Sequence, residues 1–141
     1  WKSRCCRSNP ALYQQLKQKR RDIRPKPMKS KEGFDMTKVK IDPGVCGLVT
    51  AVEASSEDQM EVRVKVKSGC ESIRRMFEAL GDTFDAYEVC LAKPGAGPFY
   101  EYAAEHLPGH ASCPVIAGII KCMEVECRLA LPKEARITFE D

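Results

Sequence analysis

The stretch Met60-Glu61-Val62-Arg63-Val64-Lys65-Val66-Lys67-Ser68-Gly69-Cys70 decides the fold. Val62, Val64 and Val66 alternate with Arg63, Lys65 and Lys67, the period-two pattern of a strand with one apolar and one polar face. Ser68-Gly69 stops it. Upstream, Leu48–Ala54 reads as a second strand, with Leu48, Thr50 and Val52 on one side and Val49, Ala51 and Glu53 on the other. The polar residues Ser55–Gln59 join the two, so they form an antiparallel hairpin. Thr37–Ile41 alternates more weakly and precedes the turn signal Asp42-Pro43-Gly44.

Downstream the period changes. Ile73, Met76, Phe77 and Leu80 form an i, i+3, i+4, i+7 stripe that predicts a helix over Cys70–Leu80, ended by Gly81-Asp82. Phe84–Cys90 reads as a further helical turn or two, Ala92–Pro98 as a loop, and Phe99–His106 as a short helix broken by Leu107-Pro108-Gly109. The longest helix is expected from Cys113 or Pro114 to Leu129–Leu131, with Ser112 as N-cap and Pro114 in the first turn, where its missing N–H costs nothing. Arg136–Phe139 reads as a last short strand, Ile137 and Phe139 pointing one way. The order ββ(β)–α–α–α–β contains no βαβ crossover. It predicts an α+β fold in which helices cover one face of a small antiparallel sheet.

The chain has 141 residues, 8 of them Cys, with 23 basic against 20 acidic side chains. That length fits one domain with a modest core. It has no apolar run long enough for a transmembrane helix, and its polar, basic opening does not read as a signal peptide. The expectation is a cytoplasmic protein whose cysteines serve metal or thiol chemistry and not a disulfide framework. The charge is unevenly spread: residues 1–35 hold 11 Lys/Arg against 3 Asp/Glu, and residues 36–141 hold 12 against 17. The first segment reads as a disordered basic tail, with at most a short helix over Ala11–Arg24. Lys31-Glu32-Gly33 can be written AAG-GAG-GGN, a bacterial ribosome-binding sequence that Phe34-Asp35 spaces from Met36. Met36 is therefore the expected native start, which other codons at 31 and 32 would refute. The acidic balance of residues 36–141 argues against nucleic-acid binding by that part. No Ser-His-Asp order, phosphate loop, HExxH or GxGxxG motif points to a turnover enzyme.

Three cysteines stand at element ends beside small residues. Cys46 lies in Gly44-Val45-Cys46-Gly47, Cys70 in Ser68-Gly69-Cys70, and Cys113 in His110-Ala111-Ser112-Cys113-Pro114. The last two sit at expected helix N-termini, where unpaired N–H groups and the helix dipole favour thiolate, the form that binds metals and iron–sulfur clusters. No pair has the CxxC spacing of a zinc ribbon, so a site must be assembled from distant segments.

Val45-Cys46-Gly47, Gly69-Cys70 and the His110-to-Cys113 segment opening a long helix resemble the IscU/NifU-type iron–sulfur scaffold proteins. The intervals of 24 residues from Cys46 to Cys70 and 43 from Cys70 to Cys113 are similar to that family's, and the likeness spans roughly Pro43 to Ala130. The body is also similar to small uncharacterised proteins of anaerobic bacteria and archaea that begin near an Asn/Asp-Pro-Gly-x-Cys-Gly motif, which implies no function. The scaffold resemblance implies an IscU-like fold, a cluster held by Cys46, Cys70 and Cys113, and a protein partner or client in metallocofactor assembly. Leu48 stands where the scaffold family has an Asp linked to cluster lability, so a bound cluster is expected to be held more firmly. Ser112 stands where that family has His, and Leu107-Pro108-Gly109 only faintly echoes its Leu-Pro-Pro-Val-Lys chaperone-docking segment.

His110, within one loop of Cys113, is the best fourth ligand. Three thiolates and one imidazole also suit tetrahedral zinc. His106 shares a helix face with aromatic neighbours and reads as packing. Cys122 and Cys127 lie about 13 and 21 Å along a straight helix from Cys113, too far to share a mononuclear site, and read as core. Cys90 could approach the site from an irregular segment. Glu124 and Glu126 read as flanking an exposed stripe, Glu124 pairing with Arg128 at i, i+4. Two other readings stay open. One is a sulfur carrier or redox protein with Cys70 or Cys113 as the reactive thiolate. The other is an interaction module with structural cysteines.

Overall fold

The computed structural model describes residues 36–141. The basic segment 1–35, with the helix expected over Ala11–Arg24, lies outside them. Four strands, β1 (Thr37–Ile41), β2 (Thr50–Ser55), β3 (Glu61–Ser68) and β4 (Thr83–Asp85), form one sheet in the order β1-β2-β3-β4. Every neighbouring pair is antiparallel. Helices α1 (Glu71–Leu80), α2 (Ala86–Cys90), α3 (Pro98–His106) and α4 (Val115–Glu126) complete the fold. The α+β class expected from the alternation in β3 is what forms.

The register shows why one face is wet. Val39 pairs with Val52 and Val52 with Val66, an apolar row under the helices. The next row along runs Lys38, Glu53, Lys65, and the one on the other side of the valines runs Lys40, Ala51, Lys67. Their side chains leave the opposite face, because successive residues of a strand alternate sides. Helix α4 lies across β1 and β2 and buries Val115, Ile116, Ile119, Cys122 and Met123. A third patch of the core joins α1, α3 and β4: the ring centroids of Phe84 and Phe99 are 4.8 Å apart, and the Phe77 ring lies tilted 5.5 Å from that of Phe99.

Four expectations are corrected. Thr83–Asp85 is a strand and not the start of a helix; Asp85 then caps α2, its Oδ1 accepting from the N–H groups of Tyr87 (2.9 Å) and Glu88 (3.1 Å). Asp is a strong N-cap, so this boundary carried a readable signal. Helix α4 ends at Glu126, short of Leu129–Leu131. The Arg128 N–H reaches the Val125 carbonyl and the Leu129 N–H the Glu124 carbonyl, a Schellman closure with Arg128 at φ 57°. Glycine usually takes that left-handed position, so its absence hid the stop. Arg128 has left the helix there, and the expected Glu124–Arg128 pair does not form. Ser112 is not the N-cap of α4; Pro114 occupies that place, with no side-chain cap.

Arg136–Phe139 forms no strand within this chain. Residues 131–141 have no regular structure, and Ile137 and Phe139 are 84% and 94% exposed. A strand needs a partner edge, and none reaches this segment among the described residues.

Candidate functional site

Antiparallel register fixes which segments share an end of the sheet. Ile41 pairs with Thr50 and Thr50 with Ser68, so the end of β1, the start of β2 and the end of β3 lie side by side. Cys46 sits in the turn between the first two, and Cys70 two residues beyond the third. Helix α4 runs antiparallel to β1. A Cβ on Gly118 would lie 2.5 Å from Ile41 Cδ1, whereas Glu126 bonds Thr37 at the strand's other end. Cys113, five residues before Gly118, therefore stands at the same end as Cys46 and Cys70.

The three are presented differently. The Cys46 turn is built locally: Asp42 Oδ1 accepts from the Gly44 N–H (2.9 Å), and the Gly47 N–H donates to the Gly44 carbonyl (2.9 Å). Gly44 and Gly47 have φ of 85° and 65°, a backbone that glycine adopts without strain. This leaves Val45 and Cys46 exposed at the tip. Gly69 closes the other side. Its N–H donates to the Val49 carbonyl, and its bare Cα lets Leu48 approach to 3.4 Å from where a Cβ would stand. Thr50, fully buried, shares a 2.7 Å hydrogen bond with Ser68 Oγ, which accepts from the Cys70 N–H at 3.0 Å. The Thr50–Ser68 pair thus fixes the backbone that carries Cys70. Ser68-Gly69 alone could not disclose this, since Thr50 is distant in sequence. Cys70 and Cys113 are half-buried against the core. The Cys113 N–H donates to the carbonyl of His110, whose own side chain is exposed.

Shared location does not make a closed ligand set. Among the described residues, no group of three or more His, Cys, Asp or Glu side chains is placed to hold a metal ion. Cys46, Cys70, Cys113 and His110 have the right donor types but stand open.

Among the described residues, Cys90, Cys122 and Cys127 belong to the core or the far end. Cys122 is fully buried, and its thiol donates to the Thr37 carbonyl at 3.4 Å. Burial pushes its pKa up from 9.0 to about 11 and that of Cys127 likewise to about 11. Cys90 is pushed to about 12, by burial first and then by the nearby Cys127 and Glu124. Its helix α2 begins where the Ala86 N–H bonds the Met60 carbonyl, at the β2–β3 turn, so Cys90 does not approach Cys46. His106 stacks on Tyr102 with ring centroids 4.3 Å apart, as packing requires.

Glu126 overturns the expectation of a solvated flank. Its carboxylate accepts from Thr37 N (3.0 Å), Thr37 Oγ1 (2.7 Å) and Ser56 N (3.0 Å), clamping β1 and β2 to the end of α4.

Residues 37–139 match a family described as a family of unknown function (DUF6951). The chain belongs to this family. The match begins with β1 and reaches Phe139. No curated protein and no solved structure matches the chain. No helix among the described residues is long and apolar enough to cross a membrane.

Proposed function

We propose that the protein binds a metal ion or an iron–sulfur cluster through Cys46, Cys70 and Cys113, and serves metallocofactor assembly or handling without turning over a substrate. The observation that supports this is the sorting of the cysteines. Among the described residues, Cys46, Cys70 and Cys113 lie toward one end of the sheet, while burial holds Cys90, Cys122 and Cys127 as thiols. His110 is the candidate fourth ligand for zinc, and its loop already bonds the Cys113 backbone. A bound ion or cluster would supply Lewis-acid or electron-transfer chemistry. The chain's own contribution is thiolate donors. Exposed Val45 and Leu48 flank Cys46 and suit a protein partner, either an assembly factor or a client. This reading places the protein in the cytoplasm, where thiols stay reduced.

Anaerobic reconstitution with iron and sulfide, and separate titration with zinc, tests it. Uptake is expected by the parent chain and by Cys122→Ala, and is lost in Cys46→Ser, Cys70→Ser and Cys113→Ser. A parent that stays colourless and metal-free, or a triple Ser variant that loads equally well, sinks the proposal. The exposure of Cys46 favours one other reading, a sulfur carrier or redox thiol. Metal-free parent with a single rapidly alkylated cysteine would select it.

A further inference from the structure

The C-terminal segment is written as a strand but lies on no sheet among the described residues. Ala135, Ile137 and Phe139 alternate with Arg136, Thr138 and Glu140, and Ile137 and Phe139 are 84% and 94% exposed. The family match extends through Phe139 and so spans most of this segment. On the same molecule β1 is an edge strand, its outer side unpaired by any strand among the described residues.

We infer that two copies of this chain associate by β-addition, the segment Ile137–Asp141 of each pairing antiparallel with the outer edge of β1 of the other. Placing Phe139 opposite Val39 sets every other pair. Ile137 falls opposite Ile41, and Phe139 extends the apolar row Val39–Val52–Val66. Glu140 falls opposite Lys38 and extends the row Lys38–Glu53–Lys65 into strict charge alternation; Lys38 already pairs with Glu53 at 3.3 Å. Thr138 falls opposite Lys40, which has no ion-pair partner among the described residues. Opposite charges across a strand pair stabilise and like charges destabilise. A slip of two residues that sets Ile137 opposite Val39 brings Arg136 against Lys40; the opposite slip sets Glu140 against Lys40 but carries Ile137 past the end of β1, opposite Pro43, so charge and apolar pairing together select the register. Lysines on an edge strand normally repel unwanted pairing. Here they discriminate in favour of an acidic strand. The exposure of Ile137 and Phe139 on their own chain assigns the pairing to a second copy. Exchange of identical segments about a two-fold axis closes the assembly and leaves no free copy of either surface.

Sedimentation equilibrium of the full chain over a wide concentration range, combined with amide hydrogen exchange, tests this inference. A monomer–dimer equilibrium is expected, with β1 and residues 137–141 gaining protection together as the dimer fills. Ile137→Asp with Phe139→Asp should weaken the dimer by about a hundredfold or more, since two apolar side chains lose their burial. Both lie outside the monomer's core, so circular dichroism should be unchanged. Lys38→Glu should weaken the dimer, and adding Glu140→Lys in the same chain should restore it. A monomer at all concentrations overturns the inference. So does a dimer indifferent to the tail variants, or tail protection independent of concentration, which would assign the segment to its own sheet.

Discussion

Replacing Glu126 with Ala removes one carboxylate and three hydrogen bonds at once. Its acceptors hold the Thr37 N–H, the Thr37 hydroxyl and the Ser56 N–H at 3.0, 2.7 and 3.0 Å. Bonds to a charged acceptor contribute roughly 1.5–3 kcal/mol each, and bonds that share one carboxylate do not add fully. Two of the donors are backbone groups at partly buried strand ends, which the substitution leaves without their partner. We expect Glu126→Ala to cost about 3 kcal/mol. For a domain of this size that lowers Tm by about 12–24 °C. Glu126→Gln keeps one acceptor oxygen and should fall about midway. Glu105→Ala, exposed on α3, serves as control and should stay within about 0.5 kcal/mol. Urea and thermal unfolding followed by circular dichroism measure all three. An Ala variant as stable as the control would refute the clamp and return Glu126 to the solvated surface.

Gly118→Ala should destabilise by about 1–3 kcal/mol although alanine is the better helix former, because the new methyl meets Ile41 at 2.5 and 2.7 Å; in an Ile41→Ala background the sign should reverse in chemical denaturation. Arg128→Gly should stabilise by about 1 kcal/mol, since φ 57° disfavours any side chain there; a loss of stability in the same assay would contradict the Schellman reading. Timed alkylation at neutral pH with mass spectrometry should label Cys46 before the half-buried Cys70 and Cys113 and leave Cys122 and Cys127 unlabelled until the chain unfolds. Stability should also fall in alkali. Cys90, Cys122 and Cys127 ionise near 9.0 when unfolded but only near 12, 11 and 11 when folded. Their protonated state therefore favours the fold fully below pH 9, and this contribution is lost as pH rises through 9 towards 11 and 12. Urea midpoints measured across that window check it, and a triple Cys→Ala variant should show a shallower decline.

Much of the architecture was legible along the chain. The valines of β3, the polar turn at residues 55–59 and the Ile73-Met76-Phe77-Leu80 stripe each carry their period within a few residues, and the structure follows them. What was missed has a common cause. Strand β4 is three residues long, too short to show a period, and exists because Phe84 pairs opposite Val62. Glu126 looked like a surface carboxylate because its partners, Thr37 and Ser56, are 89 and 70 residues away. The early stop of helix α4 went unread because the backbone closure at Arg128 uses no glycine to announce itself.

The sequence by itself determined an α+β domain with a one-sided antiparallel sheet, because hydrophobic periodicity is a local property and burial follows it. It also marked Cys46, Cys70 and Cys113 as residues at element ends. Only the tertiary structure decided that these three share one end of the sheet while Cys90 and Cys127 lie at the other. That division depends on strand register and on the direction in which α4 crosses β1. Both are set by contacts between residues far apart in the chain, from Gly118 against Ile41 to Glu126 against Thr37.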